Sequence, residues 1–402
     1  MQQMETAFII DSIRTPVGKF GGKLSGIRPD DLLALVIRKL LERNQTVDPL
    51  RIEDIIAGDA NQAGEDNRNV ARMAALLAGL PETVAGNTVN RLCASGLQAI
   101  MDAARAVKCG DGSVYIAAGV ESMTRAPFVM PKSSSAWSRQ NEVYDTTIGW
   151  RFPNPRLSEK YYPFSMGETA ENVALKWEIS REEQDAFAME SQEKYFHALK
   201  EGKWKDEIIP VQIMENKTAA VFDEDEHPRH TSLEKLASLK PAFSKTGTVT
   251  AGNSSGINDG AGAVLMANEK AVQEFQLKPV AKVLSMAVAG VDPAIMGIGP
   301  VPATRKALAR AGLTLDQIGL VELNEAFASQ SIACIRELGL DKDIVNVNGG
   351  SIAIGHPLGC SGIRISTTLL HEMERRKVKY GLATMCVGVG QGAAVIYERI
   401  DD

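Results

Sequence analysis

Short apolar runs alternate with helical patterns along this chain. AFII (residues 7–10), VYIAAG (114–119), GLVEL (319–323) and AAVIY (393–397) are strand-length stretches with few polar positions, as expected of strands buried on both faces. Between such runs, LLALVIRKLLER (32–43) and PATRKALARAG (302–312) place apolar residues at helical spacing. The alternation predicts an α/β architecture with largely parallel sheets. One pattern occurs twice. LCASG (92–96) and LGCSG (358–362) each stand before an apolar helix, and each helix leads to a glycine-bearing strand end, IAAGV (116–120) and MCVGV (385–389). The repeat predicts two similar halves whose helix starts face one crevice.

The first of those helices is well marked, because Leu97, Ile100, Met101, Ala104 and Val107 recur on one face and Gly110 supplies a stop. Between about residues 121 and 249 the composition shifts. All four tryptophans fall there, with RFPNPRL, YYPF and many charges, which reads as an insert. Within it Ser180 and Glu183 match a capping box, predicting a helix that runs to about Lys200 before Gly202, with its charges on a solvated face.

With 402 residues and 44% hydrophobic content, the chain is long enough for more than one core. Its net charge of -6 is dispersed, and no basic stripe suits a nucleic acid backbone. The start, MQQMETAFIIDSIRTP, reads as neither a signal peptide nor a membrane span, and five cysteines are too few for a disulfide scaffold. A cytoplasmic protein with reduced thiols is expected.

Four places can carry chemistry. Cys93 stands where an extended stretch turns into a helix, and a thiol there faces free N–H groups that favour the thiolate. An inert buried cysteine is the alternative. His356 lies in NGGSIAIGHPLGCSG, whose glycines suit a loop wrapped against a ligand, although a core histidine would also fit. CVGVGQG (386–392) sets Cys386 beside glycines, but it runs on into a strand, which weakens a dinucleotide reading. ELNEAFASQ (322–330) places Asn324 and Glu325 at a strand end, the edge that faces ligands in open α/β sheets, where capping would also explain the asparagine. No close ligand pair joins Cys93, His356 and Cys386, so no metal is expected, while Cys109, Cys334 and Cys360 read as structural.

Taken together these strings resemble the thiolases, which make and break carbon–carbon bonds between acyl groups on coenzyme A. The likeness runs from AFIIDSIRTPVGKFGG through VTAGNSSGINDGAGA to CVGVGQGAA, in the family's order. It implies the thiolase fold: two βαβαβαββ-type halves forming a five-layered α-β-α-β-α core, with an N-terminal domain over 1–272 that holds an inserted loop domain at about 121–249, and a C-terminal domain over 273–402. It implies that Cys93 carries the acyl group, His356 activates it and Cys386 is a second acid/base. Asn324 would hold a water that joins His356 in one oxyanion site, and the N–H groups of Cys93 and Gly388 would form the other. Arg229 in HPRH and Ser255 in GNSSG match positions lining the coenzyme A channel. Coenzyme A is then a co-substrate, no cofactor is held tightly, and a homodimer or homotetramer is implied.

The chemistry accounts for those residue types. Splitting a 3-ketoacyl-CoA forms an oxyanion at the keto carbon and releases acetyl-CoA as an enolate, so two oxyanion sites are needed, each fixed donor being worth roughly 3 kcal/mol. A thiol with a pKa of about 8.5, lowered locally, would both give and take the enolate proton. An acyl thioester on Cys93 is close in energy to the CoA thioesters, which keeps the transfer reversible. Condensing enzymes of fatty-acid synthesis share the fold but usually carry two histidines, and a thiolase-like lipid carrier should lack one of the trio. On substrate, Ser165 stands where short-chain acetoacetyl-CoA thiolases tend to have histidine, which favours the degradative 3-ketoacyl type. YDTTIGWRF (144–152) is similar to a stretch of the 3-oxoadipyl-CoA branch and makes Arg151 a conceivable partner of a distal carboxylate. Ala94, where that branch is expected to carry glycine, argues against it.

Overall fold

The computed structural model describes residues 4–139, 141–215 and 217–401. Its main sheet contains β1 (Phe8–Arg14), β2 (Ile52–Gly58), β3 (Ala85–Val89), β4 (Val114–Ser122), β5 (Asn258–Ala267), β6 (Ala281–Gly290), β7 (Leu320–Leu323), β8 (Tyr380–Val387) and β9 (Gln391–Arg399). The helices that position the site are α1 (Pro29–Arg43), α2 (Val70–Leu77), α3 (Ser95–Cys109), α4 (Met166–Lys176), α5 (Arg181–Lys200), α6 (Pro300–Ala311), α7 (Ala328–Leu338) and α8 (Leu358–Arg376).

Strand order across the sheet is β7-β8-β9-β6-β1-β5-β4-β2-β3. Within the sheet, the strands of the two halves pair where Phe8 and Ile9 of β1 face Lys282 and Ala281 of β6. Counted outward from that seam, the first half reads β1-β5-β4-β2-β3 and the second β6-β9-β8-β7, so the same order occurs twice. Where β3 flanks β2, the second half has only an isolated bridge between Val321 and Val345. The duplication expected from the repeated strings is therefore present in the topology.

Three apolar clusters define the layers. α1 and α2 cover the outer face of the first half. α3 and α8 pack between the halves, where Leu97, Ile100, Met101 and Val107 meet Ile363, Ile365 and Leu369. α6 and α7 close the outer face of the second half. This is the α-β-α-β-α stack, and it buries each sheet on both sides.

The expectation of largely parallel sheets is corrected. Only β2–β3, β2–β4 and β7–β8 run parallel; the remaining neighbours are antiparallel. An apolar run buried on both faces looks the same in either direction, and the connections decide. Residues 388–390 join β8 to β9 as a tight turn, and so short a link requires antiparallel strands.

The segment between β4 and β5 contributes α4, α5 and a hairpin of Val211–Glu215 with Thr218–Phe222. α5 has the expected capping box at Ser180 and Glu183 and ends before Gly202, whose φ is 72°. Its polar residues are not all solvated: Gln184, Asp185, Ser191 and Gln192 are buried with Ala188 and Tyr195. Ser191 and Gln192 hold loops of the second half in place, and Gln184 and Asp185 hold the segment that carries Thr248 and Asn253. Among the described residues no helix is long and apolar enough to cross a membrane.

Candidate active site

The site begins where α3 and α8 cross at their first turns. A Cβ on Gly362 would lie 2.0 Å from the Leu97 nitrogen, and one on Gly96 would lie 2.6 Å from the Gly359 carbonyl oxygen. Only glycines allow the helices to come this close. Cys93 lies just before one of these helix starts and His356 just before the other, so the crossing draws the two segments together.

Local turns aim the side chains. Leu92 has a φ of 46°, and the Ser95 hydroxyl accepts the Arg91 N–H at 2.9 Å while donating to the Leu92 carbonyl at 2.6 Å. That buckle presents Cys93 ahead of α3. His356 follows Gly355, at φ 113°, and its N–H donates to Asn258 Oδ1 at 2.9 Å. Cys386 is buried one residue before the end of β8, and Gly388 opens the turn to β9. A Cβ at Gly388 would be 3.1 Å from Leu92 Cδ1, which puts this turn against the Cys93 elbow.

The electrostatics differ from the expected lowered thiols. Burial pushes Cys93 up to about 11, and the negative charge of Glu121 adds to the rise. The N–H groups of Gly388 and of Cys93 itself approach the sulfur and pull the other way, but burial outweighs them. Cys386 is raised well above the usual thiol range, first by burial and then by the nearby sulfurs of Cys93 and Cys334. Both thiols are protonated at neutral pH. His356 is pushed down to about 3 by burial and by the Arg364 guanidinium, so its ring is neutral.

The tautomer of that ring follows from its partners. Ser361 Oγ lies 2.6 Å from His356 Nδ1 and 2.8 Å from the Pro357 carbonyl oxygen. A carbonyl only accepts, so the hydroxyl donates to Pro357 and accepts from Nδ1–H. Nε2 is left with its lone pair, 3.4 Å from Asn324 Nδ2. Asn324 does not cap α7, contrary to the alternative weighed for it: that position belongs to Phe327. Its backbone N–H donates to Thr384 of β8, two residues before Cys386. Its neighbour Glu325 is buried and accepts from Ser191, Asn346 and the Ile352 N–H, locking the loop that carries His356.

Ser361, Asn258 and Ser191, which hydrogen-bond His356 and Glu325, are contacts that sequence reasoning missed. Ser361 carried a signal, as a polar residue in the buried first turn of an apolar helix. Asn258 and Ser191 carried none, because their partners are distant in sequence. Arg229 and Ser255 share one loop region: Arg229 Nη2 donates to the Ala251 carbonyl at 3.2 Å, and Ser255 Oγ donates to that of Ala326 at 3.1 Å. Arg229 is exposed and its N–H is held by Gln192 Oε1. Ser165 caps α4 in a second capping box with Glu168, a backbone reason for serine there that is independent of substrate. Cys334 and Cys360 are buried, Cys109 is exposed, and all five cysteines are free thiols.

Family models for the thiolase N-terminal domain and the thiolase C-terminal domain match residues 7–270 and 277–399. The chain is 56% identical over 402 residues to a beta-ketoadipyl-CoA thiolase of Escherichia coli, covering 99% of this chain and 100% of that protein. It is 55% identical over 402 residues to the 3-oxoadipyl-CoA/3-oxo-5,6-dehydrosuberyl-CoA thiolase of Escherichia coli (strain K12), with the same coverage. The crystal structure of the Bacillus anthracis acetyl-CoA acetyltransferase superposes with a TM-score of 0.93 at 41% identity, covering 100% of both chains. By sequence and by fold, this chain belongs to the thiolase family.

Proposed function

We propose that this chain is a 3-ketoacyl-CoA thiolase of the 3-oxoadipyl-CoA branch, splitting its substrate with coenzyme A into acetyl-CoA and a shortened acyl-CoA. The observation that carries the substrate choice is near-full-length identity of 56% and 55% to two enzymes of that specificity, against 48% to an acetyl-CoA acetyltransferase of Pseudomonas aeruginosa. The 3-ketoacyl type without a carboxylate preference, favoured by sequence reasoning, becomes the second reading. Ala94 is no obstacle to the branch. It has φ -94° and ψ 17°, which an alanine adopts without strain.

In this reading the Cys93 sulfur attacks the keto carbon as its proton passes to Nε2 of His356. A resting thiol beside a neutral imidazole suits the step, since the free enzyme stores no buried ion pair. The N–H groups of Cys93 and Gly388 stabilise the oxygen of the acyl group being formed on the sulfur. A water held by Asn324, together with the newly protonated His356, faces the thioester oxygen of the departing enolate. The C2–C3 bond breaks, Cys386 protonates the enolate carbon, and acetyl-CoA leaves. Coenzyme A then gives its thiol proton to the Cys386 thiolate, its sulfur attacks the acyl carbon, and the released Cys93 thiolate recovers its proton from His356. Arg229 and Ser255 line the approach for coenzyme A.

A thiolysis rate profile over acetoacetyl-CoA, 3-oxohexanoyl-CoA and 3-oxoadipyl-CoA tests the substrate choice. The expected result is a kcat/KM for the charged six-carbon chain at least about tenfold above that for the uncharged one, as one charge-assisted contact would give. Equal values for the two would remove the dicarboxylate branch and leave the general reaction.

A further inference from the structure

Beneath Asn324 lies a chain of polar side chains that the proposed reaction does not use. Arg364, on α8, is fully buried. Its Nη1 donates to Glu322 Oε2 at 3.2 Å, its Nη2 donates to Ser351 Oγ at 2.8 Å, and its Nε has no partner among the described residues. Ser351, also fully buried, opens the short helix Ser351–Ile354, and its Oγ lies 2.6 Å from Asn324 Oδ1. A guanidinium cannot accept a hydrogen bond, so the serine accepts from Arg364 and its single hydroxyl proton goes to Asn324 Oδ1. The amide orientation is thereby decided: Oδ1 points down to Ser351 and Nδ2 points up, towards His356 Nε2.

We propose that Ser351 is a positioning residue for the oxyanion site, passing the polarisation of the buried Arg364 cation to Asn324 so that its NH2, and not its carbonyl, faces the water that serves the reacting oxygen. The two ends of an amide are nearly equal in size, and packing alone does not choose between them. A carbonyl turned up would compete with the developing oxyanion for the protons of that water, whereas an NH2 turned up donates to the water and strengthens its donation to the oxyanion. The cation also strengthens the donor: a hydroxyl that receives a hydrogen bond from a charged group donates more strongly to the next acceptor, and a polarised amide oxygen makes the amide N–H more acidic. Glu322 neutralises Arg364 incompletely. Their contact is long and single, and burial pushes the Glu322 carboxyl up to about 8.

This inference rests on the role proposed for Asn324, and a double-mutant cycle separates the two. Ser351→Ala, Asn324→Ala and the double variant are compared in steady-state thiolysis of the enzyme's best 3-ketoacyl-CoA, with Tm recorded for each. The relay predicts that Ser351→Ala lowers kcat by roughly tenfold, as loss of one charge-assisted link would, and leaves KM within about twofold because substrate ground-state binding is untouched. In the Asn324→Ala background the same change should have no further effect on kcat, since the amide it orients is gone. A merely structural serine would lower both backgrounds by the same factor, and that additive result overturns the relay, as does an unchanged kcat in Ser351→Ala. Full turnover by Asn324→Ala would instead overturn the reading of the oxyanion site itself. If Ser351→Ala does not fold, Ser351→Cys, which fills the space with a weak donor, is put through the same cycle with the same two outcomes.

Discussion

Cys93 and Cys386 carry the same thiol yet serve opposite proton transfers in the proposed reaction. Cys93 must lose its proton to attack, and Cys386 must deliver one to an enolate carbon. Burial holds both in the protonated form, which suits Cys386 directly and makes Cys93 depend on His356. The helix start in front of Cys93, which the sequence suggested would free the thiolate, is outweighed by desolvation. Replacing Cys386 by alanine therefore separates the two roles. In Cys386→Ala, exchange of the acetyl-CoA α-protons with solvent should fall by at least about a hundredfold, the usual scale of a general acid/base contribution. Acylation of Cys93 by acetyl-CoA, followed by mass spectrometry, should persist. Exchange that survives at full rate would assign the proton transfer to another group.

The elements that matter most are α3 and α8, because their crossing sets the distance between the segments that carry Cys93 and His356. Gly362 is the narrowest point, where a methyl group would sit 2.0 Å from the Leu97 nitrogen. Gly362→Ala should push the helices apart and cost about 1–3 kcal/mol, the range for overpacking a filled core. A lower urea midpoint checks this, and turnover should fall by more than the folded fraction does, since the shift displaces Cys93 against His356. An unchanged midpoint would show that the crossing has slack. α3, α5 and their stops were readable from apolar spacing, the capping box and the terminal glycines. What α5 does was not readable: its buried Ser191 and Gln192 bind Glu325 and the Ile352 carbonyl, partners from the other half of the chain.

At the scale of the molecule, a buried acidic group ties the two halves together. Glu121 accepts the N–H groups of Ala60 and Asn61 from the first half and of Gly359 from the second. Burial pushes Glu121 up to about 7 and the nearby Asp66 up to about 6. A carboxyl with a folded-state pKa above its ordinary value binds its proton more tightly when folded. The stability it contributes is therefore present at low pH and is lost as pH rises through the folded value. The buried neutral His356 contributes with the opposite sign up to about pH 6.5, so the difference between variants isolates the carboxyls: the Tm of Asp66→Asn should gain on that of the unsubstituted protein as pH rises from about 5 to 7. A Tm difference that stays constant across this window would contradict the assignment.

Local pattern alone determined the α/β class, the main helices, the duplication and the set of residues that resemble a thiolase site, because burial and backbone preference are written in short-range spacing. The direction of most strands, the protonated state of both thiols, the His356 tautomer and the orientation of Asn324 were decided only by the tertiary structure. Each of these depends on groups brought close from distant parts of the chain: the Gly388 N–H against Cys93, Ser361 against His356, Arg364 and Ser351 beneath Asn324. Desolvation and hydrogen-bond direction are properties of such neighbours, and a linear sequence does not state who the neighbours are.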